Sequence, residues 1–222
     1  HRFERLLPSA RPQLVINLAE DETRVYDDEL RCVRNAGATL DAPSHRSFII
    51  DTAEQTAAVG VVFRTGAAAA FFRERMDRIA NRHVDLADLC SGAGTLRQRL
   101  LEAEDAAARL HLVAQWLAVH AAKAAVCTPV PITHALRLLD AAPETARIPA
   151  IAAECRMSPR RFGELFREQV GLSPKRYARL QRFRAVVAQV HRRERVEWAA
   201  VAADGGFHDQ AHLVHEFRAF SG

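Results

Sequence analysis

The 222-residue chain has no apolar run long enough to span a bilayer, which excludes a membrane-spanning helix. Its opening stretch, HRFERLLPSARPQ, lacks the apolar core of a secretory signal, so a cytoplasmic protein is expected, with no membrane partner. A chain that opens on His1 is also expected to be missing its native start. Cys32, Cys90, Cys127 and Cys155 are widely spread with no CxxC pair, which argues for reduced, mostly buried thiols rather than disulfides or a metal site. GxSxG is absent, and no Ser or Cys has a recognisable base partner. Between residues 2 and 82 the only histidine is His45, too little for a metal-dependent barrel enzyme. No catalytic residue, metal or cofactor is therefore expected. The run GVVFRTG lacks the Lys and the glycine spacing of a phosphate-cradling loop, and reads instead as a strand-to-helix turn capped at Thr65-Gly66.

What is present is ample apolar content, 49% of residues, enough for packed cores, in a length that suits two modest domains. The net charge of +4 is small, but it is unevenly placed. Residues 131–222 carry 15 Lys/Arg against 10 Asp/Glu, and the remaining residues carry 16 against 17. The basic excess sits wholly in the C-terminal part, as binding to a polyanion requires.

That part is organised around IPAIAAECRMSPRRFGELFREQVGLSPKRYARLQRF. Ile148, Ile151, Ala152 and Cys155 fall on one helical face. Ser158 is a good N-cap, Pro159 suits the first helical position, and Gly171 can end the helix in a left-handed conformation. Phe162, Leu165, Phe166 and Val170 carry the buried side of this second helix. Two short helices closed by a tight corner make a helix-turn-helix unit. The pattern returns in WAAVAADGGFHDQAHLVHEFRAF: Ala152 recurs as Ala202, Phe162 as Leu213 and Phe166 as Phe217, at offsets of 50, 51 and 51. Asp209 takes the place of Ser158, and Gly205-Gly206 supplies the turn. Between the two units, Pro174 to about Val190 reads as one helix with an apolar stripe of Tyr177, Leu180, Phe183, Val187 and Val190. Lys175, Arg176, Arg179, Arg182 and Arg184 fill much of the remainder.

The segments GLSPKRYARLQRFRAV and GGFHDQAHLVHEFRAFSG resemble the AraC/XylS family of transcription regulators, over about Ile132 to Gly222. The resemblance implies two helix-turn-helix units on a linker helix, binding specific promoter DNA. Two departures stand out. The chain stops at SG, where the family usually continues through a serine-proline and a final short helix. Arg156 also stands where the second turn has Gly206. A non-glycine left-handed residue costs on the order of 1–2 kcal/mol, so the first turn is expected to bend differently.

Residues 1 to about 65 read as strands, in RPQLVINLAED, around Arg24 to Tyr26, in SFIID and in AAVGVVF. GATLDAPSH supplies turn signals between elements. From Ala67 the pattern turns helical, in AAAAFF, VDLADLC, LRQRLLEAE and AARLHLVAQWLAVHAAK; the last places Leu110, Val113, Leu117 and Ala121 at a and d spacing. This part resembles the sensing and dimerisation domains attached to such regulators. The expected fold is α+β: a small β-barrel-like domain with appended helices (1–126), a proline-rich linker (127–131), then an all-α, homeodomain-like DNA-binding domain (132–222).

Matched to the family's reading helices, base-facing positions fall on Arg160, Gly163 and Glu164 in the first unit. In the second they fall on Gln210, Ala211, Val214 and His215. Arg160 suits guanine, Glu164 cytosine, Gln210 adenine, and Ala211 and Val214 a thymine methyl. Ser158, Arg161, Arg167, Lys175, Arg176, His212 and Arg218 are expected at phosphates. His208, His212 and His215 step at i, i+4, i+7, but they lie on the exposed face of a reading helix without a completing ligand, so no metal is expected. The implied partners are double-stranded promoter DNA, RNA polymerase, a small-molecule effector and a second copy of the chain. A closed apolar pocket within residues 14–64 would favour effector sensing, and a filled barrel would favour a domain for protein contacts alone. Convergent titratable groups there would favour an enzyme.

Overall fold

The computed structural model describes residues 2–124, 127–191 and 196–222; the expected domain boundary at residue 126 and the opening His1 lie outside them. Eight short strands form two four-stranded antiparallel sheets. One has the order β1 (Phe3–Leu6), β6 (Phe48–Asp51), β3 (Glu22–Tyr26), β4 (Cys32–Ala36). The other has the order β7 (Ala58–Val62), β2 (Gln13–Asn17), β5 (Ala38–Asp41), β8 (His83–Asp85). Alternation sets the facing: in β2, Leu14 and Ile16 are buried while Val15 is only half-buried, as the period of two requires. Asn17, fully buried, is satisfied on all sides. Its Nδ2 donates to the carbonyls of Glu22 (2.9 Å) and Glu54 (3.0 Å), and its Oδ1 accepts from the amides of Ala19 and Glu20, which fixes the β2–β3 turn.

The expected barrel-like unit takes the form of a pair of antiparallel sheets that do not close on each other. Among the described residues no ladder joins β4 to β8; they meet at one end, where the Ala36 amide donates to Asp85 Oδ1 at 2.8 Å, and beyond it a cleft opens between Val25, Val33 and Asn35 on one side and Asp41 and His83 on the other. Two expectations are corrected. ATLD, read as part of a turn, is the buried strand β5, and VDLADLC begins as strand β8 before the short helix α3 (Leu86–Leu89). Helices α1 (Ala67–Phe72), α2 (Met76–Ile79), α4 (Ala93–Glu102) and α5 (Ala106–Ala124) close one side of this core. The expected strand-to-helix turn lies at Thr65-Gly66, with Gly66 left-handed before α1, but no side chain caps the helix. Cys32 and Cys127 are exposed and Cys90 and Cys155 half-buried, so the thiols are less buried than expected; all four are free.

The remaining helices are α6 (Val130–Ala141), α7 (Ile148–Glu154), α8 (Pro159–Val170), α9 (Pro174–His191), α10 (Trp198–Asp204) and α11 (Gln210–Ser221). A large core joins α6, α7, α8 and α9 through Ile132, Leu139, Ile151, Phe162, Phe166, Tyr177 and Phe183. A smaller one joins α9, α10 and α11 through Val186, Val201, Ala202, Phe207 and Leu213. The buried Tyr177 hydroxyl donates to Asp140 Oδ1 at 2.6 Å, tying α9 to α6.

The two turns are alike, against expectation. Arg156 adopts φ +55° and Gly206 φ +69°. The Arg156 and Met157 amides donate to the carbonyls of Ala153 and Ala152 at 2.9 and 3.0 Å. Those of Gly206 and Phe207 donate to Ala203 and Ala202 at 3.1 and 2.9 Å. Arg156 accepts the left-handed strain because its side chain is exposed, whereas a Cβ at Gly206 would lie 2.6 Å from Cβ of Glu144. The one-residue step in the repeat comes after the turn, where His208 is added between Phe207 and the N-cap Asp209.

The N-terminal part touches both units at their C-terminal ends. Gly171, at φ +83° after α8, sits against Pro43 and the Met76 carbonyl, and Arg75 pairs with Glu168 at 3.2 Å. The Ser47 hydroxyl donates to the Ser221 carbonyl at 3.2 Å, and Arg184 donates to the Pro8 carbonyl at 3.1 Å. From these contacts, Arg156→Gly should raise stability in urea unfolding by about 0.5–1 kcal/mol. Gly206→Ala, which adds strain and a clash together, should lower it by about 2 kcal/mol or more.

Candidate nucleic-acid interface

Each reading helix is built by the same local chemistry. The Ser158 hydroxyl accepts from the Arg161 amide at 3.3 Å and opens α8; the Asp209 carboxylate accepts from the His212 amide at 2.7 Å and opens α11. That amide and the neighbouring His208 hold the Asp209 carboxyl below the usual carboxylate range. Phe162, Phe166 and Val170 turn α8 inward, and Leu213, Glu216 and Phe220 do the same for α11. The opposite faces are left to solvent.

On α8 the exposed face carries Arg160, Arg161 and Arg167, with Gly163 and Glu164 half-exposed between them. Arg160, whose side chain is 90% exposed, donates through Nε to Glu164 Oε1 at 3.0 Å, and Arg161 approaches the same carboxylate at 4.0 Å. The Arg160 hydrogen bond holds the Glu164 carboxyl below the usual range. Arg160 and Glu164 thus present a donor fork and an acceptor side by side, the pair a G·C base pair can take. A Cβ at Gly163 would meet nothing nearer than Arg167 Nη1 at 3.7 Å, so packing does not require glycine there. The residue leaves a bare patch of helix backbone at the centre of the face.

On α11, Gln210, Ala211, Val214, His215 and Arg218 are all exposed. His212 is half-buried: its Nδ1 accepts from the His208 amide at 3.3 Å, and its ring lies edge-on to Phe207 at 5.5 Å. His208 turns instead to Asp209, at 3.1 Å. Among the described residues no group of three His, Cys, Asp or Glu side chains is placed to hold a metal ion.

Ser158, Lys175 and Arg176 are exposed at the openings of α8 and α9. The other cations of α9 are engaged internally, which the sequence pattern does not show. Arg179 pairs with Glu216, Arg182 donates to the Gly206 carbonyl at 3.3 Å and lies over the Phe207 ring, and Arg184 holds Pro8.

Two side chains outside the sequence reading flank the reading faces. In the first unit a groove runs between Arg147, Ile148, Pro159, Gly163 and Lys175. In the second the matching groove runs between Trp198, Gln210, Val214, Phe217 and Arg218. Ile148 and Trp198 are equivalent by the offset of 50, as are Gly163 and Val214 by 51. The first groove carries two cations, Arg147 and Lys175, on an apolar floor; the second carries one, Arg218, beside Trp198, which is 43% exposed. Arg147 precedes a helix with no other basic residue, so charge clustering does not reveal it; Trp198 reads in sequence as an ordinary core position.

Residues 151–222 match the family described as a helix-turn-helix domain, and they span both units whose turns and caps coincide. The chain carries a helix-turn-helix domain of that family, and with it the role of a DNA-binding transcription regulator. Residues 1–85 of the regulator match a domain of unknown function (DUF6597). No curated protein matches the chain. The regulator is similar in fold to an unliganded single-residue variant of ToxT from Vibrio cholerae. The two are 10% identical, with 100% of this chain and 90% of that chain covered and a TM-score of 0.50. A second structure, wild-type ToxT from the same organism with unsaturated fatty acid bound, matches at 10% identity. It covers 99% of this chain and 88% of that one, with a TM-score of 0.48. No described helix is long and apolar enough to cross a membrane.

The caps supply a direct check on the frame that aims the reading helices. Ser158→Ala should cost about 1 kcal/mol in urea unfolding, and Asp209→Ala should destabilise in the same direction, without change in far-ultraviolet circular dichroism.

Proposed function

We propose that the regulator binds promoter DNA with both units at once, α8 and α11 entering major-groove segments about 34 Å apart on one side of the duplex. The observation that supports this most is the equivalence of the two units. Their turns share hydrogen bonds, their apolar faces are buried against one helix, and their polar faces are both left open. At about 1.5 Å per residue the 18-residue α9 is about 27 Å long, a suitable spacer. Arg160, Gly163 and Glu164 then read bases in the first half-site, and Gln210, Ala211, Val214 and His215 in the second. Ser158, Arg161, Arg167, Lys175, Arg176, His212 and Arg218 bind phosphates. Bound at a promoter, the regulator alters transcription through contact with RNA polymerase.

The N-terminal part, residues 1–126 in this reading, with a linker at 127–131 and the DNA-binding domain at 132–222, senses an effector or joins two copies. A cleft of about 470 Å³ between the sheets supports the first role. Val25, Val33 and Phe48 give it an apolar wall, and Arg46, Arg82, Asn35 and Tyr26 give it polar groups. Asp41 and His83 meet there at 2.7 Å, but they are cross-strand partners in β5 and β8, and the pair serves to tie those strands together. Ser44 is committed to the Arg46 carbonyl and Ser47 to Ser221, so neither is offered to His83 as a nucleophile, and an enzyme is disfavoured. The second role is supported by α5, where Leu110 is 62% exposed and Ala121 is also outward; of the other two residues of the expected stripe, Val113 is buried in the N-terminal core and Leu117 is half-buried against it, and Ala114 takes the outward place between them. A matching helix of a second copy would cover that stripe. The regulator is cytoplasmic in this reading and takes no cofactor.

Gel-shift titration across salt and sequence tests the DNA reading. Arg160→Ala should lose about 1–3 kcal/mol, mainly at one base pair. Arg176→Ala should weaken all sequences alike and flatten the salt dependence by about one unit of slope. Equal behaviour of the two variants would refute the assignment. Sedimentation tests the other surface: Leu110→Asp should leave the fold intact and convert dimer to monomer.

A further inference from the structure

The two units are fastened to α9 by different chemistry, and the difference bears on how far apart they can read. The first unit is held by a broad apolar core, in which Leu165 packs on the α8 side facing the protein. At the equivalent position, 51 residues on, the second unit has Glu216. That glutamate is 6% exposed and accepts two hydrogen bonds from Arg179 of α9, Nε at 2.8 Å and Nη2 at 2.6 Å. The Arg179 guanidinium also lies over the Phe220 ring at 5.7 Å. One turn further along α9, Arg182 donates to the Gly206 carbonyl and lies over Phe207 at 5.4 Å. The core that α9 shares with α10 and α11 alone is small, and α11 reaches the larger one only at its far end, where Phe217 and Phe220 pack on Phe183.

Apolar packing is tolerant of small rotations, whereas a two-pronged guanidinium–carboxylate contact fixes both distance and plane. Buried ion pairs add little net stability compared with apolar side chains of similar volume, and their best-attested use is to select one arrangement among several. We propose that Arg179 and Glu216 are positioning residues that set the angle of α11 about α9. They thereby set the number of base pairs the regulator accepts between its two half-sites. Arg179, although basic and on the linker helix, is on this account not a phosphate ligand. The inference rests on the two-unit reading of DNA given above.

The test uses the full chain and a duplex recovered by selection from a random pool, with versions one base pair longer and one shorter between the half-sites. Each added pair moves the second half-site by about 3.4 Å and turns it by roughly 35°. The wild-type chain should lose about 30-fold in affinity on either altered duplex, the equivalent of one or two misplaced base contacts. The double substitution Arg179→Met with Glu216→Leu, the second copying Leu165, leaves no charge unpaired and should melt close to wild type. It should bind the selected duplex with an unchanged salt slope, but lose less than about 3-fold on the altered ones. The reversed pair, Arg179→Glu with Glu216→Arg, should restore the spacing preference. The inference is overturned if the double variant keeps the wild-type ratio between duplexes, if it weakens all three by one common factor, or if its salt slope falls by about one unit. A wild-type chain indifferent to spacing would instead remove the two-unit reading itself, and this inference with it.

Discussion

Both reading helices are held by their inner faces to a single helix, and that shared attachment decides what else the molecule can be. Tyr177 and Leu180 of α9 face the first unit, Val186 faces the second, and Phe183 meets Phe217 and Phe220 of α11, so neither unit can turn its apolar side outward without opening a core. What remains outside is fixed by elimination: arginines and a glutamate on α8, and on α11 mostly neutral and apolar side chains with Arg218 as the one arginine. The two outer faces thus differ in kind although the frames beneath them coincide. On the proposed reading of DNA, the charged face suits G·C pairs and the other the methyl groups of A·T pairs.

The repeat was the most legible part of the chain because its signals are local. Caps such as Ser158 and Asp209, the αL residue Gly171 and the spacing of Phe162 and Phe166 each follow from a few neighbouring residues, and the structure places them where the pattern asks. The added residue, His208, was visible only as a change of offset from 50 to 51. Arg156 shows the limit of arguing from one residue's cost. A left-handed arginine is unfavourable by itself, yet the hydrogen bonds to Ala152 and Ala153 and the packing of α7 on α8 hold the turn in the same form as its glycine counterpart.

The strands were harder to read for a physical reason. β1 and β4 are almost wholly exposed, so FERL and CVRNA carry no apolar alternation to detect. β5 has the opposite property: ATLD has three consecutive buried residues flanked by Gly37 and Pro43, which reads as a turn. In α9 the sequence shows five cations, but not that three of them reach inward to Glu216, Gly206 and Pro8, because those partners lie on other elements. Long-range pairing of this kind is set by tertiary geometry and leaves no mark in local spacing.

The segment from Ala42 to Phe48 lines the cleft between the sheets and also reaches both units, through Pro43 beneath Gly171 and Ser47 beside Ser221. One short span of backbone therefore serves as the floor of a cavity and as the common footing of two widely separated helices. Because the footing is shared, a displacement of that span would bear on the pair in concert rather than on one member alone.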